Sequence, residues 1–241
     1  MLTGEGEPMF SSFRVTLIVA GWLLGATGCS AKAQPVPAPE VDAARSPISG
    51  RQAAVVAGGC FWGVQAVFQH VKGVIAATSG YAGGSAKTAD YESVSSGEAG
   101  HAESVQIIYD PSQITYGELL RVFFSVAHDP TQLDRQGPDE GPQYRSSIFY
   151  ANEKQKKIAE AYVAQLDAGK VFRHQIVTKV VPLEGFYPAE AYHQNYAALH
   201  PGQPYIRFND APKVEHLKQE FPDLFIGKLT AVALPIWRRL L

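Results

Sequence analysis

Apolar and polar positions change period several times along this chain. Ala53–Ala57 is a short apolar run halted by Gly58 and Gly59, the pattern of a buried strand ended by a glycine turn. Val64, Val67, Phe68 and Val71 follow at i, i+3, i+4 and i+7, the spacing of a helix with one apolar face. Gly73–Ser79 predicts a second strand. His101–Tyr109 predicts a third, with Val105 and Ile107 alternating against polar neighbours. Thr115-Tyr116-Gly117-Glu118 has the form of a capping box, opening a helix that carries Leu119, Leu120, Phe123, Phe124 and Ala127. Ser147–Tyr150 predicts a strand, and Asn152 caps a helix running to about Leu166. Gln175–Leu183 is β-branched and predicts a strand; Ala189–Leu199 predicts a helix. From His200 the pattern is irregular apart from a short helix near Val214–Glu220.

The predicted order is β-α-β-β-α-β, then α-β-α. Its first six elements have the connectivity of a ferredoxin-like split βαβ unit. The expected fold class is therefore α/β (α+β), a two-layer sandwich with additional helices. The long loops at 80–102 and 128–145 are expected near strand ends, placed to close over Cys60.

The chain has 241 residues, 46% hydrophobic and 18% charged, with a net charge of -2. That suits one ordinary globular domain, and without a basic excess nothing points to nucleic acid. Val15–Ala26, preceded by Arg14, is too short to span a membrane but fits a signal-peptide core. Ala26-Thr27-Gly28-Cys29-Ser30 resembles a bacterial lipoprotein cleavage box, with Ala26 where leucine is usual. Cys29 would then be lipidated; the alternative is an ordinary secretory signal cut after Ala31 or Ala33. Ala33–Pro47, rich in Pro and Ala, reads as a disordered tether. The expected organisation is a signal peptide (1–28), a tether (29–50), a catalytic domain (51–225) and a tail (226–241). The protein is expected to be exported, periplasmic, lipid-anchored and monomeric.

The only cysteines are Cys29 and Cys60. If Cys29 is consumed by a lipid, Cys60 is a lone thiol in an oxidising compartment, where cysteines are usually paired or lost. That favours a reactive role. Cys60 also falls at a helix start, where the dipole and free N–H groups lower a thiol pKa. The plain alternative is a buried, inert cysteine.

Five motifs occur in order: Gly59-Cys60-Phe61-Trp62-Gly63, Gly80-Tyr81-Ala82-Gly83-Gly84, Gly100-His101-Ala102-Glu103, Gln143-Tyr144-Arg145-Ser146 and Tyr192-His193-Gln194-Asn195-Tyr196. Together they resemble the A-type peptide methionine sulfoxide reductases, from about Arg51 to about Tyr205. The resemblance implies that Cys60 attacks the sulfoxide sulfur and that Phe61 and Trp62 line a pocket for the substrate methyl group. It also implies functional roles for Glu103, Tyr91, Tyr144 and Asp139, with Pro138 and Pro142 as departures near Asp139. The expected substrates are methionine-S-sulfoxide and oxidised proteins, with no bound cofactor and no metal.

The residue types suit this chemistry. Thiolate attack builds charge on the departing oxygen, which needs a proton or strong hydrogen bonds. A carboxylic acid among aromatics keeps its proton, so Glu103 is a suitable acid, and Tyr91 and Tyr144 can donate O–H bonds. Loss of oxygen leaves a Cys60 sulfenic acid. The resolving cysteines that many relatives carry near the C-terminus are missing here, so regeneration is expected to use an external thiol, small or thioredoxin-like. Read singly, Glu103 would be solvated, Tyr91 and Tyr144 surface tyrosines, Asp139 a turn residue, and His101 and His193 structural. Two other readings compete: a papain-like cysteine peptidase using Cys60, His193 and Asn195, and a non-enzymatic exported binding module. The first lacks the second cysteine of the papain signature, since Ala57 stands there.

Overall fold

A computed structural model describes residues 36–229. Strand β1 (Gln52–Gly58) leads into helix α1 (Phe61–Gln69), which returns to strand β2 (Val74–Ala82). A loop holding the short helix α2 (Tyr91–Ser95) precedes strand β3 (Ala102–Tyr109). Helix α3 (Tyr116–Val122) widens into a π turn at Phe123–Ala127. A small hairpin, β4 (Arg135–Gln136) and β5 (Asp139–Glu140), precedes strand β6 (Ser146–Tyr150) and helix α4 (Glu153–Ala168). Strands β7 (Lys179–Pro182) and β8 (Phe186–Pro188) and helices α5 (Tyr196–Leu199) and α6 (Ala211–Glu220) follow among the described residues.

The main sheet has the order β7-β6-β1-β3-β2-β8, antiparallel throughout except for the parallel β6–β7 pair. Its central four strands, β6-β1-β3-β2, have the expected ferredoxin-like arrangement. Period-two alternation sorts β1 between two cores. Ala54 and Val56 join a large cluster with Val64, Val67 and Phe68 of α1 and Leu119 and Leu120 of α3. Val55 and Ala57 join a smaller cluster with Ala82, Ala102, Phe149 and Phe186. The expected α1 stripe is fully interior, with Val67, Phe68 and Val71 at 0% exposure. The capping box forms as expected: Thr115 accepts from the Glu118 N–H, and Glu118 reaches back to the Thr115 N–H. Asn152 caps α4 by accepting from the Gln155 N–H.

Five expectations are corrected. The described part of the proline-rich tether, from Val36, is docked on the domain rather than loose. Val36 is buried, Tyr162 donates to the Pro37 carbonyl, Gln165 donates to the Ala38 carbonyl, and Asp42 accepts from the Gly117 N–H. Proline denies it sheet and helix pairing, but side chains of α3 and α4 hold its backbone. Strand β2 continues through Gly80–Ala82 because Gly80 lets β8 close in; a Cβ there would sit 2.4 Å from the Tyr187 carbonyl oxygen. Only Lys179–Pro182 of the expected 175–183 strand pairs. Ile176 and Val177 donate elsewhere, to Asp167 and to the Pro130 carbonyl. The helix expected at 189–199 is broken at Asn195, whose left-handed φ of 58° ends any regular turn and leaves only α5 beyond it. In the irregular C-terminal stretch, a π turn (Ile206–Asp210) and a longer helix, α6, replace the short one expected. Among the described residues no helix is long and apolar enough to cross a membrane.

Candidate active site

Cys60 is the N-cap of α1, free and 7% exposed. The two glycines before it make room for the protein's own side chains. Gly59 has φ 86°, and a Cβ there would stand 2.5 Å from Gln136 of the β4–β5 hairpin. At Gly58 a Cβ would meet His128 and Phe123 at 2.9 Å. The space at these glycines is taken by Phe123 and by the 128–145 loop. His128 is tied into a buried network through the Phe123 carbonyl and Ser146 Oγ, which in turn meets Thr178. Burial pushes His128 down to about 3, so it stays neutral.

Glu103 follows from strand periodicity. Val105 and Ile107 of β3 face the α1 layer, and Glu103, two residues earlier, stands on the same face. A carboxylate therefore occupies a core position: it is 4% exposed and accepts the Phe61 N–H at 3.0 Å. Burial raises it to about 8, against the Phe61 hydrogen bond and with help from Asp139 and Asp210.

Burial, then Glu103 and Asp210, push the Cys60 thiol well up; the Trp62 N–H and Lys213 oppose them. The lowered thiol pKa expected from the helix start is outweighed here, because the same corner excludes water and collects carboxylates. The other expected residues gather round. Phe61 is buried and Trp62 half-buried. Tyr91 begins α2, and Tyr144 ends the turn before β6. Burial and the charges of Glu103 and Cys60 raise both tyrosines, so their hydroxyls remain donors. Asp139, half-buried on β5, accepts from the Tyr205 hydroxyl and is raised by burial. Cys29 lies outside the described residues.

Several participants escaped the sequence reading. Trp62 Nε1 donates to His193 Nδ1 at 3.2 Å, and the Tyr196 ring stacks on the indole at 3.8 Å. Glu190 accepts from the Tyr81 hydroxyl and from the Tyr91 N–H. Gln194 accepts the Ser79 N–H and donates to the Ser79 carbonyl, pinning the segment to β2. Tyr205, Asp210 and Lys213 arrive from still further along. The Tyr-His-Gln motif pointed at 192–196, but no periodic signal marked 205–213. His101 is structural, bonding the Gly84 N–H and the Ser85 carbonyl. The peptidase reading finds no dyad, since His193 is committed to Trp62 and Asn195 to α1 through Gln65 and Gln69. Among the described residues no cluster of three His, Cys, Asp or Glu is placed to hold a metal.

Known proteins agree with this geometry. The family profile of peptide methionine sulfoxide reductase matches residues 52–224. A peptide methionine sulfoxide reductase MsrA 2 of Mesorhizobium japonicum is 59% identical over 74% of this chain and 92% of its own length. One from Synechocystis is 46% identical over 80% of this chain and 90% of its own. Among solved structures, reduced Mxr1 from Saccharomyces cerevisiae is 30% identical with a TM-score of 0.59, covering 68% of this chain and 92% of its own. Methionine sulfoxide reductase A of Corynebacterium diphtheriae is 36% identical with a TM-score of 0.54, covering 65% and 77%. A profile match across the whole β1–α6 unit, and relatives similar along most of their length, make this chain a member of the A-type peptide methionine sulfoxide reductases, oxidoreductases that return methionine-S-sulfoxide to methionine in protein repair.

Proposed function

We propose that Cys60 attacks the sulfoxide sulfur while Glu103 delivers a proton to the departing oxygen. The observation that carries this reading is the buried Glu103 carboxyl, held 3.0 Å from the Phe61 nitrogen and so one residue from Cys60. With its pKa near 8 it holds its proton at neutral pH. A protonated Glu103 is uncharged, so its opposition to a Cys60 thiolate disappears in the form that catalyses. Tyr91 and Tyr144 donate hydrogen bonds to the oxygen as charge develops. Phe61 and Trp62 receive the substrate methyl group, and Asp139, through Tyr205, shapes the pocket's outer wall. Attack forms a bond from the Cys60 sulfur to the substrate sulfur, and that bond and the S–O bond break as the protonated oxygen passes to Cys60: Cys60–SH plus R₂S=O gives Cys60–SOH plus R₂S, the substrate sulfur gaining the two electrons that the Cys60 sulfur loses.

No cysteine follows Cys60 in the sequence. An external thiol, small or on a thioredoxin-like protein, therefore attacks the sulfenic acid, releasing water and forming a mixed disulfide. A second thiol then frees Cys60. We further propose that the protein is an exported, periplasmic monomer, anchored by a lipid on Cys29, as its N-terminal sequence suggests.

The test is a single turnover on racemic methionine sulfoxide without reductant. One epimer should be consumed, methionine should form stoichiometrically with enzyme, and dimedone should label Cys60. Cys60→Ser should form none. Mass analysis showing a Cys29–Cys60 disulfide as the productive intermediate would sink both the regeneration scheme and the lipid anchor.

A further inference from the structure

Asp210 is an unusual residue to bury. It is 0% exposed, and neither carboxylate oxygen accepts a hydrogen bond of good geometry among the described residues. The Lys213 ammonium stands 3.5 Å from Oδ1. The carboxylate presses on the first turn of α1: a Cβ on Gly63 would lie 2.1 Å from Asp210 Oδ1 and 2.9 Å from Lys213 Nζ. Glycine at 63 is what admits the pair, and Cys60 caps that same turn. Burying a carboxylate beside a half-buried ammonium costs desolvation energy that packed aliphatic side chains would avoid. Their placement therefore calls for an electrostatic account.

The groups facing Cys60 come from every element around it: Glu103 from β3, Tyr91 from α2, Tyr144 from the turn before β6, Tyr205 from the cap of the π turn, Asp210 from its end, and Lys213 from α6. We propose that Asp210 and Lys213 are a positioning pair that sets the ionisation of Cys60, Asp210 holding the resting thiol protonated and Lys213 limiting that hold. Neither touches substrate; both act through the first turn of α1. The electrostatics agree in sign, since Asp210 raises the thiol and Lys213 lowers it. Asp210 itself is pushed up to about 6 by burial, with Lys213 opposing, so it is charged at neutral pH. The thiolate is the form that oxidises and exchanges. A lone cysteine with no cysteine after it to resolve its sulfenic acid gains from resting as the thiol.

The test is the pH dependence of Cys60 alkylation by iodoacetamide in the full chain, read at that residue by mass spectrometry, with folding checked by circular dichroism. Asp210→Asn should lower the midpoint by about one pH unit, giving up to about tenfold faster labelling near neutrality. Lys213→Met should raise it, and Lys213→Arg should restore it. The shifts should persist in a Glu103→Gln background, which excludes relay through that carboxyl. Unmoved midpoints in folded variants, shifts of opposite sign, or shifts that vanish with Glu103→Gln would overturn the proposal. If Asp210→Asn does not fold, the Lys213 variants decide alone.

Discussion

Two regions meet at Cys60. The corner formed by β1, α1 and β3 is regular, and there the reactive thiol and Glu103 sit at positions dictated by strand and helix periodicity. The segment 189–213 is the reverse: a few short turns, a left-handed Asn195 and a π turn. It supplies His193 and Tyr196 to Trp62, Tyr205 to Asp139, and Asp210 to the first turn of α1. The corner can keep a carboxyl and a thiol in their neutral forms where water is excluded, and sheet and helix satisfy the backbone around them. The wrap is held by side chains instead, above all by the Gln194 amide paired to both polar groups of the Ser79 backbone. The difference suggests a division of labour: the corner carries the chemistry, and the wrap shapes what reaches it.

The largest expected effect tests the corner. Glu103→Gln keeps an acceptor for the Phe61 N–H but removes the proton, so turnover should fall roughly 10²–10⁴-fold. Stability should move the other way. An unfolded glutamate titrates near 4.3, whereas Glu103 titrates at about 8. Below the lower value both states are neutral and nothing is lost. Between the two values only the unfolded state ionises, so wild-type stability falls progressively and levels off above about 8. In urea unfolding, Glu103→Gln should match wild type near pH 4 and exceed it near pH 9 by an amount on the order of a few kcal/mol. Equal stability at both pH values would mean that the carboxyl is not strained by its burial, and the contrast between the regions would weaken.

How legible each region was follows from the same contrast. The α1 stripe, the capping box at Thr115 and Glu118 and the Asn152 cap are local signals with local causes, and each formed where the pattern put it. Cys60 and Glu103 belong to that legible part. The level of the thiol pKa did not, because the helix start that lowers it is local, while the opposing burial, Glu103 and Asp210 arrive through tertiary packing. Asp210 was hidden for another reason: an acidic residue two before Pro212 reads as an ordinary helix start. Only the missing side chain at Gly63 reveals where its carboxylate goes. The part of the proline-rich stretch from Val36 to Pro47 is docked despite its composition, because composition reports the lack of regular structure, not the lack of partners.

The wrap is tested at Gln194. Gln194→Ala strands the Ser79 N–H, leaves the Ser79 carbonyl with only the Ala189 N–H, and removes a partner of Gln65, a loss of about 1–3 kcal/mol in a buried setting. With the segment loosened, Trp62 loses its His193 and Tyr196 supports, so KM should rise several-fold while kcat changes little. A kcat loss as deep as that of Glu103→Gln would dissolve the division between regions.

The smallest effect comes from an irregular segment far from the pocket in the fold, and it shows whether irregularity alone matters. Asp42, on the N-terminal strap, accepts the Gly117 N–H at 2.8 Å and the Thr115 hydroxyl, serving orphan donors at the start of α3 from outside the helix. The nearby Arg45–Glu118 pair, at 2.6 Å, is largely exposed and adds little. Asp42→Ala should therefore cost about 1 kcal/mol, the usual value of a lost cap, and leave kcat and KM at wild-type values. Set beside Gln194→Ala, it compares two side chains that each anchor an irregular segment to a regular one. If Asp42→Ala also raises KM, the Gln194 effect is a general consequence of loosening the domain. If only Gln194→Ala does, the wrap's irregular path is what fits it to line the pocket.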